Sequence, residues 1–466
     1  MKHISVILTC LLLCCAPTAK QNYDLVLHNG KIIDLVSGEI SQKHLFITDG
    51  RIQKVGTSNE PYDAKDIIDL QGRYVLPGFW DNHVHFRGGD SLIAANKNFL
   101  RLFIANGITT VRDAGGDLTP TVMQWKGQIK TGKLLGPEIF SSGPKIDGVN
   151  ASWAGSLVVE DSLDVVNALD SLEAIHADYV KLYDSRISGE VYLETIRAAE
   201  RRKMISSGHM PFTVLLEDAI NAGIDGVEHL YYIMKGCSAK ETEITARLKA
   251  KEIGFWQAMP LLQTSYNDST AQNTFALLRA NEVFVIPTLH IGKTLSYLDE
   301  VDHSSDEYLK YIGPGIQKTY QGRISRALKA SPEARENRKE LDAFFGTLAK
   351  SLNDAKVDLL AGSDSGAFNS YTYPGISLHQ ELQAMVNNGI SPLDALKSSA
   401  YNGARFLHRT KDYGNIEVGK ISDLVILDAN PLEDISNTQR IHMVLKRGQV
   451  YNSKKLTKLL QEAIIN

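Results

Sequence analysis

The sequence predicts an α/β protein in which a (β/α)8 barrel, or TIM barrel, is joined to a small β-domain built from both ends of the chain. Short runs of alternating apolar and polar residues, separated by turn residues, occupy both ends, and this period of two is typical of strands. Between them, strand-like runs alternate with helical stretches, which favours a parallel sheet covered by helices. We therefore expect a β-domain in residues 20–77 and 409–466 and a barrel in residues 78–408.

The first 19 residues have the layout of a secretory signal peptide. A basic Lys2 precedes an apolar core at residues 4–15, which is too short to span a bilayer, and small residues follow. Removal of this segment would leave Cys237 as the single cysteine, so no internal disulfide could form. We expect a secreted or periplasmic protein. A lipid-anchored form, attached through a cysteine of this segment, is left open.

Turn signals support the β-domain at both ends of the chain. Asn29-Gly30 and Asp49-Gly50 lie between β-rich runs, as in tight hairpins. Near the other end, GKISDLVILD and RIHMVLKRGQV have the same strand-like composition, and residues 454–465 predict a closing helix.

Eight strand-like runs can be counted in the middle of the chain, the number that closes a barrel. In order they are RYVLPGF, GITTVRDAG, PEIFSSG, DYVKLYD, KMISSGHM, DGVEHL, NEVFVIPTLH and VDLLAGSD. Helical stretches such as SGEVYLETIRAAERR lie between most of them. GFWQAMPLL, around Trp256, is a ninth candidate, so the identity of the seventh strand stays open at this point.

Polar residues of a particular kind lie at or near the ends of five of these runs. They are His83, His85, Lys181, His209, His229 and Asp364. His83 and His85 are two residues apart, so an extended backbone points both imidazoles to the same side. Because the carboxyl ends of barrel strands open onto one face, all six side chains are expected to converge there.

The chemistry of these six residues points to a metal site. Neutral imidazoles and a carboxylate suit zinc and related divalent metals. A protonated lysine would repel cations, but burial favours the neutral amine, which can capture CO2 as a carbamate. Lys181 is therefore interpreted either as an anionic bridge between two metals or as a surface residue.

Composition excludes several classes of partner. The 466 residues carry a formal net charge of -4, and lysine and arginine form no long run, so no nucleic-acid partner is expected. No stretch after the signal segment is long and apolar enough to be transmembrane. A homo-oligomer is left open.

Together these motifs resemble those of the amidohydrolase superfamily. The matching stretches are LPGFWDNHVH, VKLYD, VEHL and AGSD, with His209 and the tail NGARFLHRTKDYGNIEVGKISDLVILD. The resemblance implies a (β/α)8 barrel flanked by a β-sandwich and two divalent metal ions, with zinc expected. It also implies that His83, His85 and Asp364 hold the more buried metal, that His209 and His229 hold the second, and that a CO2-derived carbamate on Lys181 bridges them.

Within that superfamily, NGITTVRDAGGD is similar to the imidazolonepropionase-like branch, which includes metal-dependent Xaa-Pro and other Xaa-amino-acid dipeptidases. This implies prolidase-like hydrolysis of an amide bond in a dipeptide or an N-acyl amino acid. The alternative is a cyclic amide or lactam, because Arg87 in HVHFR is similar to dihydroorotases, although Gly88-Gly89 replaces their proline-containing continuation. Deamination is not favoured, because Met210 follows His209 where an HxE pair is expected.

The same interpretation assigns roles around the substrate. Asp364 would accept the proton of a metal-bridging hydroxide and pass it to the departing amine. Arg87, Arg112 and Tyr231 are candidates to hold a substrate carboxylate, and His290 is a candidate to face the cavity. The long loop containing Trp153 is a candidate wall. A rival hypothesis is a non-catalytic barrel that keeps a structural metal, but such a site is normally closed and needs fewer ligands.

Overall fold

The computed structural model describes residues 21–57 and 61–465, so the predicted signal peptide lies outside the described residues. Within these ranges, no helix combines the length and the apolar character that a membrane crossing requires.

The described strands run in chain order. They are β1 (Gln21–Ile33), β2 (Ile40–Thr48), β3 (Arg51–Gly56), β4 (Tyr62–Asp69), β5 (Tyr74–Pro77), β6 (Phe79–Val84), β7 (Ile108–Asp113), β8 (Glu138–Ser141), β9 (Ile146–Asp147), β10 (Leu157–Val158), β11 (Val180–Leu182), β12 (Ser206–Gly208), β13 (Gly226–Glu228), β14 (Phe284–Ile286), β15 (Leu424–Leu427), β16 (Ile441–Lys446) and β17 (Gln449–Asn452).

The described α-helices are α1 (Ile93–Ala105), α2 (Thr119–Lys130), α3 (Ser162–Ala174), α4 (Gly189–Arg201), α5 (Leu216–Ala222), α6 (Tyr231–Gly236), α7 (Glu241–Lys249), α8 (Phe255–Thr264), α9 (Asp268–Ala280), α10 (Leu289–Ser296), α11 (Pro314–Leu328), α12 (Pro332–Asp354), α13 (Ser377–Asn387), α14 (Pro392–Phe406) and α15 (Ser453–Glu462). The 3-10 helices are Asp90–Leu92, Glu307–Tyr311 and Ile435–Gln439.

Strands from both ends of the chain form one sheet, in the order β17-β16-β15-β5-β1-β2-β3, with β4 also paired to β1. The joint lies between β5 and β15, which pair antiparallel with Leu76 opposite Val425. Alternate residues of β1, such as Leu25 and Leu27, face a small apolar core shared with β2 and β15. The helix expected at residues 454–465 is α15, which begins one residue earlier and ends at Glu462.

Parallel strands occupy the middle of the chain. One sheet has the order β6-β7-β8 and another the order β10-β9-β11-β12-β13-β14. Parallel bridges link Val285 to Leu359 and Val84 to Ser365, so residues 359–365 lie between β14 and β6. These short strands are buried almost throughout, as expected where helices cover a parallel sheet.

Two strand predictions need correction. VDLLAGSD forms isolated bridges rather than a continuous strand, because Asp364 has a φ of 53°, in the left-handed region, and turns the backbone. GFWQAMPLL is not a strand: it lies mostly in α8, where the buried Ala258, Met259 and Leu262 have helical spacing. The seventh strand is therefore β14, within NEVFVIPTLH.

Candidate active site and metal centre

Two histidines at the end of β6 meet Asp364 of the 359–365 segment. The Nε2 atoms of His83 and His85 are 3.3 Å apart. Asp364 Oδ1 lies 3.4 Å from the first and 3.1 Å from the second. One donor atom from each of the three residues lies within 4.8 Å of the others, which is compact enough to hold one cation. The close approach leaves no room at Gly362, where an added Cβ would lie 2.6 Å from the Cβ of His83.

A second histidine pair lies on the other side of Asp364. His209 follows β12 and His229 follows β13, and their Nε2 atoms are 3.1 Å apart. His229 Nε2 lies 4.0 Å from Asp364 Oδ2. The two oxygens of Asp364 thus face different histidines, with Oδ1 near His83 and His85 and Oδ2 nearer His229.

Each of the four imidazoles turns its Nδ1 atom towards a protein group and its Nε2 atom towards the centre. The Nδ1 partners are Gly115 O for His85 (3.1 Å), Thr288 Oγ1 for His229 (2.7 Å) and Asp184 Oδ1 for His209 (3.4 Å). His83 Nδ1 lies 3.6 Å from Glu228 Oε2 and makes no hydrogen bond within the described part of the chain. Such partners fix the ring orientation and the tautomer of metal-binding histidines. None of these partner groups was singled out from the sequence.

Removing the Thr288 hydroxyl tests this arrangement. Thr288→Val keeps the shape of the side chain but loses the hydrogen bond to His229, so we expect zinc affinity to fall about 10- to 100-fold. Competition with a chelator measures the affinity. Thr294→Val is the matched control, because the Thr294 hydroxyl bonds only to the carbonyl of His290 within α10. Equal zinc affinity in both variants would contradict the role of Thr288.

Lys181, on β11, is fully buried and lies in direct contact with Glu228 Oε2. Burial, together with the positive charges of Arg112 and Lys145, lowers the pKa of Lys181 well below its ordinary value. A neutral amine keeps the lone pair that CO2 capture needs. The structure thus places Lys181 in the interior, and the surface interpretation does not hold.

Glu228 and Arg112 form a buried ion pair beneath the histidines. Arg112 Nη2 donates to Glu228 Oε1 at 3.0 Å, and both side chains are fully buried. The guanidinium also donates to Ser207 Oγ and to the carbonyl of Asn82. Arg112 therefore does not line the cleft, and its positive charge is paired with the Glu228 carboxylate. The sequence could have indicated Glu228, because it is an acidic residue in the strand-like run DGVEHL, directly before His229.

The electrostatics of three histidines suit a bound cation. Burial lowers the pKa of His83 and His85 well below the usual value and that of His229 to about 3, so these imidazoles are neutral, which is the form that binds a metal. His229 and Asp364 also have φ values of 69° and 53°, a backbone strain that is common at functional sites.

A cleft of about 190 Å³ opens over these residues. Among the predicted substrate contacts, Arg87 and Tyr231 line the cleft, whereas Arg112 and His290 do not. Trp153, from the loop predicted as a wall, lines it as well. Arg323 of α11 also lines the cleft; no sequence signal pointed to it, because it lies far from any strand end.

A sequence profile described as the amidohydrolase family matches residues 74–451, which is most of the chain. The chain belongs to the amidohydrolase family. The six residues described above lie within the matched range.

Individual relatives of this amidohydrolase are more distant. Adenine deaminase from Listeria welshimeri is 36% identical over 92 residues, which are 20% of this chain and only 15% of that protein. Two solved structures share the fold over nearly the whole chain. Bottromycin amidohydrolase has a TM-score of 0.72 at 21% identity, and the match covers 94% of this chain and 89% of the bottromycin amidohydrolase chain. A Xaa-Pro dipeptidase with bound methionine has a TM-score of 0.68 at 22% identity, and the match covers 92% of this chain and 100% of the dipeptidase chain.

Proposed function

We propose that this amidohydrolase uses two metal ions to cleave an amide bond in a dipeptide or an N-acyl amino acid. The observation that carries the proposal is that the Nε2 atoms of His83, His85 and His229 lie around the two oxygens of Asp364, beside a cleft that holds Arg87. The Nε2 atom of His209 lies next to that of His229. A substrate with a free carboxylate near its scissile amide fits this combination, because the guanidinium can bind the carboxylate while the amide faces the metal ligands.

In this proposal one divalent cation would be held by His83, His85 and Asp364, and the other by His209 and His229. A carbamate on Lys181 would be a ligand of both cations. Zinc is the expected metal, since the donors are imidazole nitrogens and carboxylate oxygens. The bound metals supply Lewis acidity, which polarises the scissile carbonyl and acidifies a water molecule.

Asp364 is the proton carrier of this proposal. An aspartate is ionised at neutral pH, so it can accept the proton of the attacking water. The protonated carboxyl then returns that proton to the departing amine. Asn369 Nδ2 donates to Asp364 Oδ1 at 2.7 Å, which restrains the carboxylate in this position. Tyr231, at the rim of the same cleft, is placed to orient the substrate.

Two further expectations accompany this function. The parallel strands and the 359–365 segment form a closed barrel beside a terminal β-sandwich, as the hydrogen bonds of Leu360 and Asp364 to β14 and β6 support. The enzyme acts outside the cytoplasm, secreted or periplasmic, on the strength of the signal-like first 19 residues.

The metal centre is tested by zinc content. We expect two zinc ions per chain in the wild type and at most one in Lys181→Met, because only the wild type can form the carbamate. Elemental analysis gives the stoichiometry, and a carbamate carbon signal after incubation with 13C-labelled bicarbonate gives an independent measure. Lys181→Glu is the matched comparison, since it restores a carboxylate near the same place. Two zinc ions in Lys181→Met would rule out the bridge.

The substrate is tested with a library of dipeptides and N-acyl amino acids on the zinc-loaded enzyme, read by amino-acid release. Dihydroorotate and hydantoins are included, because Arg87 in the cleft also suits the cyclic-amide alternative. Preference for these rings over every linear amide would replace the proposed function with that alternative.

A further inference from the structure

The space above the proposed metal ligands divides into two branches, which differ in how much apolar surface lines them. The cationic branch is lined by Arg87, Lys145 and Arg323 around Trp153. The apolar branch is lined by Leu295, Leu298, Leu341 and Phe345 and ends at Trp256. Both continue from the cleft: Arg87, Trp153 and Arg323 line the cleft and the cationic branch, and Tyr231, Leu295 and Phe345 line the cleft and the apolar branch.

The cationic branch carries more positive than negative charge, because Arg87, Lys145, Arg323 and Arg326 line it against the single carboxylate of Asp117. The Arg87 guanidinium lies 4.0 Å from the centre of the Trp153 ring, and its Nε donates to the carbonyl of Ala367. Lys145 is 2% exposed, and its Nζ has no hydrogen-bond partner among the described residues. Arg323 donates to the neutral side chain of Asn369 at 2.8 Å. Because buried cations without partners are costly, this branch is suited to an anion.

Lys145 strengthens this interpretation. Burial and the neighbouring Arg87 lower the pKa of Lys145 to about 7, although Asp113, Asp364 and Asp117 act in the opposite direction. A carboxylate bound between Lys145 and Arg87 would reverse that effect, since an opposite charge favours the protonated amine.

The apolar branch is suited to a large apolar group and not to a second cation. The Tyr231 and Phe345 rings pack edge to face, with centroids 4.9 Å apart, and form its entrance. Its charged lining consists of Arg323, Arg326, Arg338 and Asp342. Asp342 is the single acid in this lining. An ammonium group entering here would meet three guanidiniums and one carboxylate.

We propose, as a refinement that rests on the proposed function, that the enzyme prefers N-acyl amino acids with an apolar or aromatic acyl group over dipeptides with a free amino group. The amino-acid carboxylate binds Arg87, Lys145 and Arg323, and the acyl chain extends between α10, α11 and α12 towards Trp256. A dipeptide carries its α-ammonium on the acyl side of the scissile bond. That charge would be desolvated at the entrance of the apolar branch, near Arg323.

Three compounds that differ by single groups test the preference. N-(3-phenylpropanoyl)-L-leucine has the skeleton of L-phenylalanyl-L-leucine without the ammonium, and N-(3-phenylpropanoyl)-L-leucinamide lacks the carboxylate charge. Binding is measured by calorimetry on the zinc-loaded Asp364→Asn full chain, or by wild-type kcat/KM if that variant does not hold zinc. We expect the first compound to bind at least about tenfold more tightly than the other two.

Variants locate the two effects. Arg323→Met should remove most of the preference for carboxylate over carboxamide, whereas Lys318→Met should keep it, because exposed Lys318 lies on the same helix but lines none of these cavities. Leu295→Asp should improve binding of the dipeptide relative to its acyl analogue. Equal or tighter binding of the dipeptide by the unaltered pocket, or absence of binding by all three compounds, would overturn this inference. Binding without turnover of any amide by the wild type would instead contradict the proposed function.

Discussion

Asp364→Asn is expected to lower kcat by about 10²- to 10⁴-fold while the variant keeps much of its zinc. Asparagine retains an oxygen beside His83 and His85, so a metal can still bind. The amide cannot accept the proton of water at neutral pH, and the departing amine then receives no proton. Steady-state kinetics and zinc analysis on the same preparation separate loss of the base from loss of the metal.

Asp358→Asn is the matched control for this prediction. Asp358 lies just before the 359–365 segment and pairs with Arg405 at 2.6 Å, away from the cleft. We expect near wild-type kcat in this variant. Full activity of Asp364→Asn would show that another group carries the proton.

Breaking the buried pair between Arg112 and Glu228 is expected to lower the free energy of unfolding by about 3–5 kcal/mol. Arg112→Met leaves the Glu228 carboxylate buried beside Lys181 without its strongest partner, and Glu228→Gln leaves the guanidinium without its counter-ion. The double variant buries neither charge unpaired, so its loss should be well below the sum of the two single losses. Urea denaturation in excess chelator measures this without the contribution of bound metal.

An exposed pair provides the control for the buried one. Arg202 donates to Asp170 at 2.7 Å on the surface, where Arg202→Met should cost no more than about 1 kcal/mol. Additive losses in the buried cycle would mean that Arg112 and Glu228 are stabilised by their other partners rather than by each other.

Local patterns in the sequence were enough to predict where each of the proposed metal ligands lies. Alternation and turn residues located β6, β11, β12 and β13, and side chains at or near the ends of these strands are brought together by parallel packing. The eighth predicted strand was the exception. Its apolar run resembles a strand, but the left-handed backbone at Asp364 depends on hydrogen bonds to β6 that no local pattern encodes.

The residues that line the cleft were harder to predict from the sequence. Arg112 and Arg87 both lie near strand ends and were assigned the same role, yet Arg112 turns inward to Glu228 while Arg87 faces the cleft. The direction depends on Glu228, which is 116 residues away along the chain. Arg323 enters the site from α11, outside the strand ends where site residues were sought.

The sequence alone determined which reactive side chains are present and that they lie at strand ends. The periodicity and the turn residues that reveal strand ends involve only a few neighbouring residues. The tertiary structure decided which of those side chains share a cleft. It also decided which of them pair with an opposite charge in the interior and which have no partner there. Charge, burial and hydrogen bonding at each atom depend on segments that meet only when the chain has folded. The Lys145 Nζ, which has no hydrogen-bond partner among the described residues, is such a case, and it supports the inference about the substrate.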